Sequence, residues 1–250
     1  MIETAVTIQT PDGSADAVLL HPEGQGPWPG VLHLTDVFGI RPAHMEMARR
    51  LAQQGYAVLV PNLFYRSARP PVFDFTPQMG DPRTMERFRE LTGPLTPEAQ
   101  LRDASAYVDA LAAQPAVGPG PISVVGHCFS GSMALRAAAE RPDRIGVVAS
   151  FHGGSLCTDA PTSPHLLLSR VRAELYFGHA DQDRSMPAEA IARLEEALAA
   201  WGGRWTSEVY VGASHGWTVP GGQMYHPEQA ERAFETLCTL LGRVSSGVVA

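Results

Sequence analysis

The sequence predicts an α/β fold: a mostly parallel sheet, helices on both faces, and an antiparallel hairpin at its amino-terminal edge. Short, wholly apolar runs alternate with helical stretches from residue 30 to residue 242. Strands of that kind are buried on both faces, as in parallel sheets flanked by helices. The first two strands break the rhythm, because "TAVTIQT" and "ADAVLLHP" flank "PDG" and read as a hairpin turning at Asp12-Gly13. A chain of 250 residues with 44% hydrophobic content can bury one sizeable core, so a single domain over 1–250 is expected.

In order, "GVLHLTD" (30–36) is a strand and "AHMEMARRLAQQG" (43–55) an amphipathic helix stopped by Gly55. "YAVLVPN" (56–62) is the next strand. A Pro-rich stretch, 66–98, then interrupts the alternation. It is too long for a plain connection and reads as a cap over a site or a mobile loop. A helix follows at 97–113, then strand "PISVVG" (121–126), helix 130–140, and strands "IGVVASFHG" (145–153) and "AELYFGHA" (173–180). Helix 187–201, strand "WTSEVYVG" (205–212) and helix 227–242 complete the pattern, and the tail "VSSGVVA" is expected to fray.

Composition excludes several functions. The formal net charge is −7 and no basic run or basic helix face is present, which argues against a nucleic-acid partner. All 19 basic residues are arginine. Without lysine there can be no P-loop lysine, Schiff base or Ser-Lys pair. The amino terminus has no signal-like apolar region and no run approaches the roughly 18 residues of a membrane span, so a soluble, cytoplasmic protein without membrane association is expected. Cys128, Cys157 and Cys238 are odd in number and widely spaced, a pattern of reduced thiols rather than of disulfides or a zinc knuckle.

Ligands of open parallel sheets bind beyond the carboxyl ends of the strands. Asp36, Cys128, Asp181 with Asp183, and His215 all follow strands there. Cys128 lies in "VVGHCFSGSMALRAAAERP", where an apolar strand turns directly into an alanine-rich helix. A reactive side chain on such a turn needs small residues two before it and two or three after it, and Gly126, Ser130 and Gly131 supply them. The helix amino terminus beneath the turn favours a thiolate. Cys128, an aspartate near 181–183, then His215 is the nucleophile–acid–histidine order of α/β-hydrolases. Neither Ser130 nor Ser132 has glycine two places before it, so a serine nucleophile is not expected. His127 reads as packing beside the site, and His33 and His152 as core histidines.

"GHCFSG", "HLTDVFGIRP", "YFGHADQDRSMP" and "GASHGW", in that order and spread over about residues 2–242, resemble the dienelactone hydrolases (carboxymethylenebutenolidases), cysteine-nucleophile members of the α/β-hydrolase fold. The resemblance implies Cys128 as nucleophile, His215 as base, an oxyanion hole from the backbone N–H groups of Val37 and Phe129, and Asp36 as an acid pairing with the resting thiol. Three departures stand out: aspartate rather than glutamate at 36, Ser130 in place of a glycine, and no arginine shortly after His215 to hold a substrate carboxylate.

Thiolate attack on an ester or lactone, through a thioester acyl-enzyme, needs no metal or organic cofactor. A general carboxylesterase or thioesterase of the same fold is the alternative enzyme, and a ligand-binding or redox-sensing relative the alternative outside catalysis. Phe38, Arg41, Tyr65, Arg66 and Trp217, just beyond strand ends, are candidate substrate-binding residues for a small-molecule ester or lactone. Arg41 or Arg66 could replace the missing carboxylate clamp. Asp183, four residues before Pro187, is favoured to orient His215. Asp181 fits a count from the strand end and stays open as the alternative.

Overall fold

The computed structural model describes residues 1–245. Residues 246–250, most of the tail expected to fray, lie outside the described residues. Eight strands form one sheet in the order β1-β2-β4-β3-β5-β6-β7-β8. β1 (Ile2–Thr10) and β2 (Gly13–His21) are the expected hairpin, and β2 pairs antiparallel with β4 (Ala57–Pro61). Every later pairing is parallel, running through β3 (Gly30–Leu34), β5 (Ile122–His127), β6 (Ile145–Phe151), β7 (Glu174–Gln182) and β8 (Trp205–Ser214). All residues of β3, β4, β5 and β6 are buried, which is why they read as unbroken apolar runs rather than alternating ones.

The core lies in two layers. On one face Leu32, Leu59, Val124, Val148 and Phe177 pack against α3 (Pro97–Ala112), α4 (Phe129–Glu140) and α5 (Ala188–Trp201). On the other Val31, Val58, Val125 and Val147 pack against α1 (Pro42–Gln53) and α6 (Pro227–Ser245). Among the described residues no helix is long and apolar enough to cross a membrane.

The 66–98 stretch holds a helix that its proline content masked, α2 (Pro82–Thr92). Asp81 caps it by accepting from Thr84 N–H, with Pro82 in the first turn. That pairing of an acidic cap with proline is a local start signal. Phe88 and Leu91 are buried beneath it, and the rings of Phe73, tilted, and Phe88, edge-on, meet that of Phe38 at 5.8 and 5.3 Å. A short 3₁₀ helix, Pro164–Arg170, was also absent from the sequence reading.

Candidate active site

Cys128 stands between the last residue of β5 and the first of α4, with φ 58° and ψ −122°. That backbone is costly for a residue with a Cβ and persists only where its surroundings hold it. Its N–H donates to Phe151 O at 3.0 Å, and its carbonyl accepts Gly131 N–H at 3.1 Å. A Cβ on Gly126 would stand 2.4 Å from Ser130 O, and one on Gly131 would meet Ser150 Oγ at 2.4 Å. Strand and helix therefore approach so closely that only glycine fits either position. Ser130 is tolerated because its hydroxyl is used: Oγ accepts His127 N–H at 2.9 Å and donates to Leu34 O at 3.0 Å, tying the turn to β3.

The loop after β8 brings His215 over this turn, with Nε2 2.9 Å from Cys128 Sγ. Its Nδ1 lies 2.6 Å from Asp183 Oδ2. The other carboxylate oxygen of Asp183 accepts Ser185 N–H at 2.8 Å and Ser185 Oγ–H at 2.6 Å. Asp181 is exposed and accepts Gly212 N–H at 3.0 Å, a turn-bracing role. Of the two aspartates left open by spacing, Asp183 is the one that reaches the imidazole.

Burial works against a charged His215, but the bonds to Asp183 and Cys128 and the charge on both outweigh it, raising the imidazole to about 10. Asp183 is pulled the other way: burial disfavours its charge, yet His215 and Ser185 hold it below the usual carboxylate range. Among the described residues the N–H groups of Val37 and Phe129 donate to no protein acceptor. Phe129 opens α4, where free amides and the helix dipole favour negative charge.

Several expected site residues have other work. Asp36 does not pair with the thiol. It is buried, receives Arg41 through both oxygens, one of them at 2.7 Å, accepts Phe38 N–H at 2.9 Å and lies 3.3 Å from His44 Nε2. Burial raises its pKa, but these partners prevail and hold it well below the normal range. Aspartate, one methylene shorter than glutamate, folds back on its own loop and fixes the segment carrying Val37. Arg41 is thereby committed to Asp36 and lies over the Phe38 ring. Arg66 is committed as well, to fully buried Asp103 at 2.7 and 2.8 Å and to Asp12. Tyr65 donates to the same Asp103 at 2.9 Å. These two residues join the β1–β2 turn to α3. Trp217 is fully buried against Tyr210, Phe151 and His152, so it is core. Phe38 is half-buried and joins the aromatic group with Phe73 and Phe88.

His127 is buried, with Nδ1 3.1 Å from Thr218 Oγ1, which matches a packing role. His33 bonds His44 at 3.0 Å in the same buried cluster. His152 is buried, as expected of a core histidine, and it also stands beside the site. It follows β6 directly with φ 40°, its Nε2 meets Thr218 Oγ1 at 2.8 Å, and its ring stands 5.1 Å from that of His215. One nitrogen each from His152 and His215 and the sulfur of Cys128 lie within 4.8 Å of one another. The strand-end rule that selected Cys128 and His215 applied equally to His152. Burial holds the His152 imidazole down to about 3, so it is neutral.

A parallel sheet of this order, with a cysteine elbow facing a histidine and an aspartate from later loops, defines a hydrolase of the α/β class. The profile of the Dienelactone hydrolase family matches residues 15–245. The chain belongs to that family, which places it among hydrolases of small esters and lactones. A carboxymethylenebutenolidase of Rhodococcus opacus is 27% identical over 201 residues, 80% of this chain and 74% of its own. A candidate dienelactone hydrolase of Klebsiella pneumoniae superposes with a TM-score of 0.85 at 22% identity, covering 97% of this chain and 98% of that one. A dienelactone hydrolase-like promiscuous phosphotriesterase from metagenomic libraries superposes at 0.78 with 23% identity, covering 98% and 99%. These two likenesses speak to the fold.

Proposed function

We propose that the chain hydrolyses a small ester or lactone by covalent catalysis at Cys128, with His215 as proton carrier and Asp183 as its orienting acid. The observation carrying this reading is the unbroken line from sulfur to Nε2 at 2.9 Å and from Nδ1 to carboxylate at 2.6 Å. The thiolate adds to the carbonyl carbon, and the oxyanion that forms is held by the N–H groups of Val37 and Phe129. The tetrahedral adduct collapses to a thioester as His215 gives its proton to the departing alkoxide. Water then loses a proton to His215 and adds to the thioester. The second adduct expels the thiolate and releases the acid, and the pair returns to its starting charge. Asp183 fixes the imidazole tautomer and balances the imidazolium without itself accepting the proton.

On this reading 66–98 is a cap within a single domain, bringing Phe73 and Phe88 to the loop of the oxyanion hole. Since Arg41 and Arg66 are both committed to buried aspartates, a general carboxylesterase accepting uncharged acyl groups is the favoured form, ahead of one that requires a carboxylate. The test is a panel of lactones and aryl esters against wild type, Cys128→Ala, Asp183→Asn and Asp181→Asn. Turnover should vanish in the first variant, fall on the order of 10²-fold or more in kcat in the second and change little in the third. Activity surviving in Cys128→Ala would end the reading.

A further inference from the structure

We propose that Cys128, His215 and His152 form a three-ligand site for a soft or borderline divalent cation, Zn²⁺ by chemical class, and that occupation blocks the enzyme. Their ligating atoms, one sulfur and two imidazole nitrogens, lie within 4.8 Å of one another. Tetrahedral coordination by such a set needs edges of about 3.4–3.6 Å, from bonds of about 2.3 Å to sulfur and 2.0–2.1 Å to nitrogen. Sγ and Nε2 of His215, 2.9 Å apart, need only part slightly, and the His152 nitrogen need move no more than about 1.5 Å.

Two further observations separate this cluster from a chance meeting. His152 is 1% exposed, and its Nδ1 has no hydrogen-bond partner. A buried imidazole nitrogen left in that state is costly unless something engages it. In addition, with the partnerless Nδ1 of His152 assigned as its ligand atom, both imidazoles are held through the other nitrogen. Asp183 sits on Nδ1 of His215 at 2.6 Å and Thr218 on Nε2 of His152 at 2.8 Å. Oxygen on the far nitrogen is the usual way proteins orient a metal-bound histidine.

Binding balances as an exchange. The cation takes the sulfur and nitrogen lone pairs of Cys128 and His215, and the proton they share leaves to solvent. Binding should therefore tighten as pH rises. Binding itself needs only the geometry, whereas inhibition rests on the function proposed above, so the two are read separately.

Co²⁺ serves as the spectroscopic probe, titrated into reduced protein without substrate, with Zn²⁺ used to displace it. A sulfur-to-metal charge-transfer band and tetrahedral visible bands are expected in wild type, with no such band in Cys128→Ala. In His152→Asn, asparagine tolerates the positive φ and Co²⁺ affinity should fall about 10- to 100-fold. Thr218→Val removes the hydroxyl that supports His152 and also meets His127, leaves all three ligands in place, and should cost about 10-fold. It stands in should His152→Asn fail to fold. Zn²⁺ inhibition of ester turnover should weaken in parallel. Equal Co²⁺ midpoints in wild type and whichever variant folds, or a charge-transfer band that survives in Cys128→Ala, would overturn the site whether or not the enzyme turns over esters.

Discussion

Acid should unfold this protein steeply, because buried imidazoles must gain protons that the fold denies them. Burial holds His152 down to about 3 and His179 to about 4, and keeps His33 and His127 well below the ordinary histidine range. A base with a depressed folded pKa contributes stability that is complete above its unfolded value, about 6.5, and is lost as pH falls toward the folded one. At pH 5 each unfolded imidazole is protonated while those of folded His152 and His179 are not, a difference of about 2 kcal/mol for each of these two. His152 and His179 alone then cost about 4 kcal/mol, against a total of about 5–15 for a typical domain. His215 has the opposite sign: its raised pKa, about 10, gives stability that is complete below about 6.5 and is lost as pH climbs through the folded value, so it does not reverse the loss in acid. Urea unfolding followed by tryptophan fluorescence at pH 7.5 and pH 5.0 measures the difference. His179, which has no partner on either ring nitrogen and stacks on Phe177 at 6.2 Å, supplies the control. His179→Phe should recover about 2 kcal/mol of the acid loss. A midpoint unchanged between the two pH values would refute the reasoning, since the imidazoles would then be protonating inside the fold.

Gly126→Ala places a methyl 2.4 Å from Ser130 O, so the turn must open. Turnover should fall at least about 10²-fold while far-ultraviolet circular dichroism stays near wild type, and an active variant would mean that the turn is looser than described. Iodoacetamide should label Cys128 well before Cys157 and Cys238, whose thiols burial pushes up, as counted by peptide mass spectrometry. Equal labelling of all three would count against a privileged sulfur. Arg66→Ala strips the partner from fully buried Asp103 and should cost about 3–5 kcal/mol of stability, read as a lower Tm. KM for anionic and neutral esters should stay unchanged, and a selective loss on anionic esters would restore Arg66 as a substrate clamp.

The parallel sheet was legible because strands buried on both faces leave unbroken apolar runs, and the elbow because "GHCFSG" must keep small residues wherever strand and helix nearly touch. Helix α2 was not, since "MERFRELT" carries four charges on one short stretch after a run of prolines. Only its Asp81-Pro82 start betrays it. The fates of Arg41, Tyr65 and Arg66 were hidden for a different reason. A cation near the site in sequence says nothing of which carboxylate it meets, and Asp103 comes from a helix 37 residues beyond Arg66. His152 was dismissed by its apolar neighbours, although position at a strand end, not neighbourhood, decides which side chains reach the ligand face. The choice between Asp183 and Asp181 turned on a backbone path that residue counting cannot follow.

Phe38 sits one residue beyond Val37 and packs against the rings of Phe73 and Phe88, while Val72 packs beneath Gly39, so closely that a Cβ there would stand 2.9 Å from its Cγ2. On the proposed mechanism, the loop that offers an amide to the transition state is thus bolted to the 66–98 segment. Altering that segment to admit a new acyl group would also tilt the Val37 amide, so attempts to broaden substrate range and attempts to preserve rate pull on the same ring. Libraries that vary 66–98 while holding Phe38, Phe73 and Phe88 fixed would uncouple the two demands.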